Sequence, residues 1–271
     1  MNEDKNAPIG VFDSGVGGLT VDREIMRNLP GERIVYFGDT ARVPYGSKSR
    51  ETVLRYSRQI VRFLESRKVK AIVVACNTAS ALALDTIEKE AALPILGVVK
   101  PGASVAVRTT RNRRVGVIAT ESTIHSHLYR TLIQAEDPEI TVFGKACPLF
   151  VPLVEEGWTK DPITEEVARR YLGELLEKDI DTLIMGCTHY PLLRSLLREV
   201  VGEKVTLVNP AYETAQALKR MLSEMDLENS GNREDPYRFY TSDAAEKFDA
   251  FAGSILPCPV PAAQQIPIEE Y

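Results

Sequence analysis

Apolar residues in this chain come in two kinds of run, and the two alternate. Short, mostly apolar runs at 9–12, 33–37, 71–75, 95–98, 115–118, 140–143, 182–185 and 205–208 are bounded by polar or glycine-containing turns. Runs of that length with no polar alternation are expected of strands covered on both faces. Between them lie segments with apolar positions at helical spacing, clearest over 49–67 and 162–178 and, after Pro191, at Leu192, Leu193, Leu196 and Leu197. Further helices are expected from Leu19, over 121–134 and over 212–225, then a late strand at 237–241 and a last short helix at 244–251. The stretch 228–235 is polar and reads as a loop. Strands alternating with helices predict an α/β protein with mostly parallel sheets flanked by helices.

One unit of this pattern occurs twice. The run ending Val74-Ala75 is followed by Cys76-Asn77-Thr78-Ala79, and the run ending Met185-Gly186 by Cys187-Thr188-His189-Tyr190-Pro191. An amphipathic helix precedes each strand, and the chain's first strand resembles the one at 115–118. The repeat predicts two pseudo-symmetric α/β domains with the active site in the cleft between them. The expected division is 1–99 plus 209–271 on the Cys76 side and 100–208 on the Cys187 side, with Lys100-Pro101-Gly102 as the crossing. The C-terminal part is expected to pack back on the first half, since termini often lie close together. Each cysteine should stand at a strand's C-terminal end, the usual ligand position in an open parallel sheet. A following helix N-terminus would favour thiolate over thiol.

Composition narrows the classes. The chain has 271 residues, 44% hydrophobic and 26% charged, as an ordinary globular protein does. A net charge of −5 gives no electrostatic case for nucleic acid. The basic cluster Arg111-Asn112-Arg113-Arg114 reads as a solvated turn. The first seven residues are polar and charged, unlike a signal peptide, and no long apolar run suggests a membrane span. A cytoplasmic location is therefore expected. The four cysteines do not make a disulfide framework, and without CxxC pairing structural zinc is not expected. Cys147 and Cys258 read as packing and tail residues, and His125 and His127 as surface residues of a helix.

Other strand ends carry candidate chemistry. Asp13-Ser14-Gly15-Val16-Gly17-Gly18 fits neither GxGxxG nor a P-loop, and Asp13 would repel a phosphate. A carboxylate followed by a hydroxyl suits a zwitterionic ligand, although Asp13 could equally cap the helix. Residues 38–47 form a long polar loop in which Tyr45-Gly46 could supply an N–H and a ring, or simply an ordinary surface loop. Asn77 and Thr78 offer donors at a helix start, suited to a carboxylate. Taken alone, Glu155 and Glu156 read as a solvated turn after the apolar, proline-broken stretch 147–154. Two matched thiols suit two-base stereoinversion: one removes a proton from a carbon while the other supplies one to the opposite face. An amino-acid α-carbon is a very weak acid, so such a site must hold the carboxylate with aligned donors and exclude water.

Residues 11–20, Val43-Pro44-Tyr45-Gly46, Ala75-Cys76-Asn77-Thr78-Ala79, Pro152-Leu153-Val154-Glu155 and Gly186-Cys187-Thr188-His189-Tyr190-Pro191-Leu192 together resemble the motifs of glutamate racemases, in the aspartate/glutamate racemase superfamily. The resemblance runs from about residue 8 to 215; Asn209-Pro210 departs from it where an acidic pair is expected. It implies interconversion of L- and D-glutamate without pyridoxal phosphate or metal, supplying D-glutamate for bacterial peptidoglycan. It implies that Cys76 and Cys187 are the acid/base thiols, with Asp13 assisting Cys76 and His189 with Glu155 assisting Cys187. It implies that Asp13, Ser14, Tyr45, Gly46, Asn77, Thr78, Thr188 and His189 bind substrate, and that the enzyme is a homodimer. Rival readings are a racemase of aspartate or a hydantoin, a cysteine hydrolase with one nucleophilic thiol, and a non-catalytic amino-acid-binding protein.

Overall fold

The computed structural model describes residues 5–229 and 236–271. The first half of the alternation gives β1 (Ile9–Asp13), α1 (Leu19–Asn28), β2 (Ile34–Gly38), α2 (Arg50–Ser66), β3 (Ala71–Val74), α3 (Asn77–Leu82), α4 (Leu84–Glu90), β4 (Ile95–Gly97) and α5 (Val99–Thr109). The second gives β5 (Arg114–Ala119), α6 (Glu121–His125), α7 (Leu128–Glu136), β6 (Thr141–Ala146), α8 (Phe150–Glu155), α9 (Pro162–Leu176), β7 (Thr182–Gly186), α10 (Arg194–Val201), β8 (Thr206–Val208) and α11 (Pro210–Glu224). The chain then adds β9 (Tyr237–Thr241), α12 (Ala245–Ile255) and the two-residue β10 (Gln264–Gln265).

The strands form two sheets, ordered β10-β9-β2-β1-β3-β4 and β6-β5-β7-β8. Every pairing in both is parallel. The order β2-β1-β3-β4 is repeated as β6-β5-β7-β8, so the internal echo in the sequence is an echo of topology. In each half the chain leaves its first strand to one side and returns on the other. The resulting switch points lie between β1 and β3 and between β5 and β7, where an open parallel sheet offers a crevice at its carboxyl edge.

Burial of both sheet faces explains the unalternated apolar runs. Val11, Tyr36 and Val73 face a central core shared with Val115, Val117 and Ile184 of the second sheet. Their neighbours Phe12, Phe37, Ile72 and Val74 face an outer core with Val53, Ile60 and Phe63 of α2. On the other half, Ile118, Leu183 and Met185 pack outward with Leu172 of α9 and Leu197 of α10. Each such fully buried side chain contributes roughly 1.5–3 kcal/mol. The helix α2 starts where Ser49 caps it, its side chain accepting from Thr52 N at 3.3 Å.

Two helices change sides. Following β4 of the first sheet, α5 packs on α7, β7 and β8; following β8 of the second sheet, α11 packs on α1 and also against α5. The late strand β9 lies beside β2, so the C-terminal part extends the first sheet.

Some expected elements differ. Lys100-Pro101-Gly102 is not a free crossing but the first turn of α5. A first-turn proline loses no helix hydrogen bond, because its N–H would have had no partner there. The expected helix over 121–134 is two helices, broken where His127 adopts φ 55°. After Pro191 the chain makes a 3₁₀ turn, Tyr190–Leu193, before α10 begins at Arg194. Of the expected loop at 228–235, residues 230–235 lie outside the described residues, as do residues 1–4 of the polar N-terminus. Among the described residues no helix is long and apolar enough to cross a membrane.

Candidate active site

The strand ends of both halves open on one cleft of about 410 Å³. Its walls include Ser14 after β1, Cys76, Asn77 and Thr78 after β3, Thr120 after β5, and Cys187, Thr188 and His189 after β7. Tyr45 and Gly46 from the loop after β2 and Glu155 from the end of α8 complete it. Ten of the eleven residues singled out from the sequence thus line the cleft. Asp13, the eleventh, is fully buried behind the wall. Glu156, His125 and His127 are exposed and do not line it.

Cys76 is the N-cap of α3, its sulfur accepting from Ala79 N at 3.4 Å. The thiol also lies 3.5 Å from Ser14 Oγ, to which it donates. The helix N-terminus favours the thiolate here, but other groups oppose it. Burial, reinforced by the neighbouring Asp13 carboxylate, pushes Cys76 up to about 12, and the helix donor and Ser14 only partly offset this. Cys76 is therefore a thiol at neutral pH. Asp13 accepts from Gly15 N at 2.9 Å, while its Oδ1 has no hydrogen-bond partner among the described residues. Burial raises its carboxyl above the usual range, against the pull of His189 and the backbone N–H groups of Gly15, Gly18 and Ser14. Asp13 thus adds to the effect of burial in holding Cys76 as a thiol, and is a buried carboxyl able to receive its proton.

Cys187 has a different neighbour. Its sulfur lies 3.8 Å from His189 Nδ1, and His189 Nε2 lies 3.1 Å from Glu155 Oε1. Burial opposes charging of the imidazole, but the contacts with Cys187 and Glu155 outweigh it and raise His189 to about 10. The hydrogen bond to His189 in turn holds Glu155 below the usual carboxylate range, despite its partial burial. At neutral pH the arrangement is sulfur, imidazolium, carboxylate in line. An imidazolium there can return a proton to sulfur or stabilise charge on it. The chain leaves Cys187 through a 3₁₀ turn, Tyr190–Leu193, and α10 begins only at Arg194.

Contacts across the cleft fix the two halves close together. Thr20 Oγ1 donates to Thr188 O at 2.8 Å, and Tyr129 OH donates to Asn77 Oδ1 at 2.7 Å. Thr78 Oγ1 lies 2.9 Å from Thr120 Oγ1 and 3.3 Å from Thr123 Oγ1. Two glycines allow this approach: a Cβ on Gly17 would sit 2.4 Å from Thr188 Oγ1, and one on Gly46 2.7 Å from Thr120 Cβ. Tyr45 gives its hydroxyl to Asp39. What Tyr45 offers the cleft is therefore a ring and main chain.

Sequence reasoning missed Thr120. Its signal was present, since it follows β5 as Ser14 follows β1, but a lone threonine in a turn carries no distinctive chemistry. Among the described residues no group of three or more His, Cys, Asp or Glu is placed to hold a metal ion.

Comparison with known proteins agrees with this geometry. The profile of the Asp/Glu/Hydantoin racemase family matches residues 19–218. Glutamate racemase of Geobacter metallireducens is 50% identical over 240 residues, 89% of each chain. The structure of glutamate racemase from Francisella tularensis in complex with D-glutamate superposes with a TM-score of 0.92 at 39% identity, covering 98% of this chain and 100% of that one. Glutamate racemase from Thermus thermophilus, in complex with beta-chloro-D-alanine, gives 0.89 at 44% identity, covering 99% and 100%. Matched over most of its length by the family profile and over nearly all of it by these relatives, the chain belongs to the Asp/Glu/Hydantoin racemase family, in its glutamate racemase group.

Proposed function

We infer that this chain interconverts L- and D-glutamate with one cysteine removing the α-proton and the other delivering a different proton to the opposite face of the α-carbon. The observation that carries the reading is the pair Cys76 and Cys187, each delivered by the equivalent strand of a matched half to one shared cleft. Glutamate as substrate rests on relatives named glutamate racemase, one of whose structures holds D-glutamate.

In one direction Cys76, its proton passed to Asp13, takes the α-proton while Cys187, reprotonated from His189, supplies one to the opposite face. In the other direction the roles reverse. Glu155 keeps His189 charged and oriented. Ser14, Asn77, Thr78 and Thr188, with the Tyr45-Gly46 main chain, hold the carboxylates and amino group, and His189 also faces the substrate's charges, while Asp13 acts from behind the wall through Cys76. The two domains are residues 1–99 with 209–271, and residues 100–208. The enzyme works as a homodimer in the cytoplasm and supplies D-glutamate for peptidoglycan, and so for cell-wall growth and cell shape.

The test is proton NMR and polarimetry of L-glutamate with purified protein in deuterated buffer, with no cofactor added. Loss of the α-proton signal together with loss of optical rotation is expected. Exchange of L-aspartate and not glutamate would keep the two-thiol chemistry and overturn the substrate. No exchange with any amino acid would leave an amino-acid-binding role.

A further inference from the structure

The loop that carries Tyr45 and Gly46 into the cleft is not held by its own contacts alone. Its buried anchor is Asp39, which is fully enclosed. The Asp39 carboxylate accepts from Arg42 Nε at 2.9 and 2.7 Å, one bond to each oxygen, and from the Tyr45 hydroxyl. Arg42 is in turn fixed with its guanidinium 4.0 Å from the Tyr56 ring centroid and a donor 2.5 Å from Gln59 Oε1. The remaining partner comes from the far end of the chain. Ser242 Oγ, just past β9, donates to Asp39 Oδ1 at 2.9 Å and accepts from Ala41 N at 2.9 Å. The same junction is doubled next door, where Asp243 N donates to Thr40 Oγ1 at 2.9 Å and Thr40 Oγ1 donates to Asp243 O.

We propose that Ser242 is a positioning residue for the racemisation, latching the Tyr45-Gly46 segment through Asp39. The inference rests on the racemase reading above and gives the C-terminal segment a part in the site. A buried carboxylate with several donors is a rigid hub, and each donor removed leaves charge less well solvated. Losing Ser242 Oγ also frees Ala41 N, so Asp39 and the backbone leading to Arg42 loosen together. Tyr45 then loses its fixed acceptor. Ser242 lies outside the cleft lining and touches no reacting atom. Its effect falls on the binding wall and leaves the thiols unchanged.

The experiment compares wild type, Ser242→Ala and Ser242→Thr for KM and kcat with both enantiomers, and for glutamate Kd by calorimetry. Ser242→Ala is expected to raise KM and Kd about 3–10-fold with kcat within about twofold, the scale of one net hydrogen bond. Ser242→Thr, which keeps the hydroxyl, is expected to restore both. Unchanged KM and Kd in a folded Ser242→Ala, even with a lowered Tm, would reduce Ser242 to a packing role and overturn the proposal. A kcat loss with KM intact would also overturn it. If wild type neither racemises nor binds glutamate, the racemase reading itself has failed. If wild type binds without turnover, only that reading fails, and Kd alone decides the latch.

Discussion

Cys76 and Cys187 hold equivalent places in the two halves but have unlike neighbours: a buried carboxylate beside one, an imidazolium beside the other. A two-base mechanism uses that difference, because one thiol begins each turnover as donor and the other as acceptor. Cys76→Ser and Cys187→Ser are each expected to lower kcat by at least about 10²-fold in both directions, since a hydroxyl is a far weaker acid than a thiol and each group acts in both directions. Polarimetry from each enantiomer checks this, and near-normal turnover in either variant would remove that cysteine from the mechanism. At this scale the sequence is informative where chemistry is rare. Cysteine, histidine and asparagine at strand ends stand out, and the cleft gathers them. Environment is not legible in the same way. A helix N-terminus favours thiolate, but at Cys76 burial and Asp13 outweigh it and push the thiol up to about 12. Likewise, Arg42 and Tyr45 lie near Asp39 in the chain, but its third partner, Ser242, lies about two hundred positions away and has no local signal.

Helix α1 shows a second limit of local pattern. It packs between α11 and α12, and its buried face includes Asp22 among Leu19, Val21, Ile25 and Met26. Asp22 is fully buried and neither carboxyl oxygen has a hydrogen-bond partner among the described residues. Burial alone pushes its pKa up to about 8. The folded state therefore holds this proton more tightly than the unfolded chain, whose aspartates titrate near 3.9. The Asp22 contribution to stability is therefore most favourable below pH of about 4, is lost as pH rises toward 8, and is flat above. Asp22→Asn removes the titration. It is expected to raise the urea midpoint at pH 8 and to change it little at pH 4; parallel curves for variant and wild type would show that Asp22 carries no such penalty. Elsewhere, elements were legible in proportion to their periodicity. The strands and α2 followed from apolar runs and spacing, whereas α5 was hidden by Pro101-Gly102 in its first turn, and the break at His127 that divides the expected helix after β5 in two left no mark in the periodicity.

For the whole molecule, the internal repeat in the sequence correctly implied two matched sheets, but not how they are tied. The tie is the exchange of α5 and α11, which makes the inner faces of both sheets one continuous core. Together with β9 beside β2, it means that the first half is completed by residues synthesised last. At about 5–20 residues per second, the edge of β2 and the outer side of α1 wait on the order of ten seconds after leaving the ribosome before β9 and α11 exist. Chains arrested at residue 205 are accordingly expected to be cut rapidly by a nonspecific protease at low concentration, and released full-length chains to resist it. Equal resistance would show that the early half closes by itself. An open strand edge presented for that long is a template for pairing with another nascent chain. For this protein the hazard of aggregation therefore falls during translation, before the racemase site has been assembled at all.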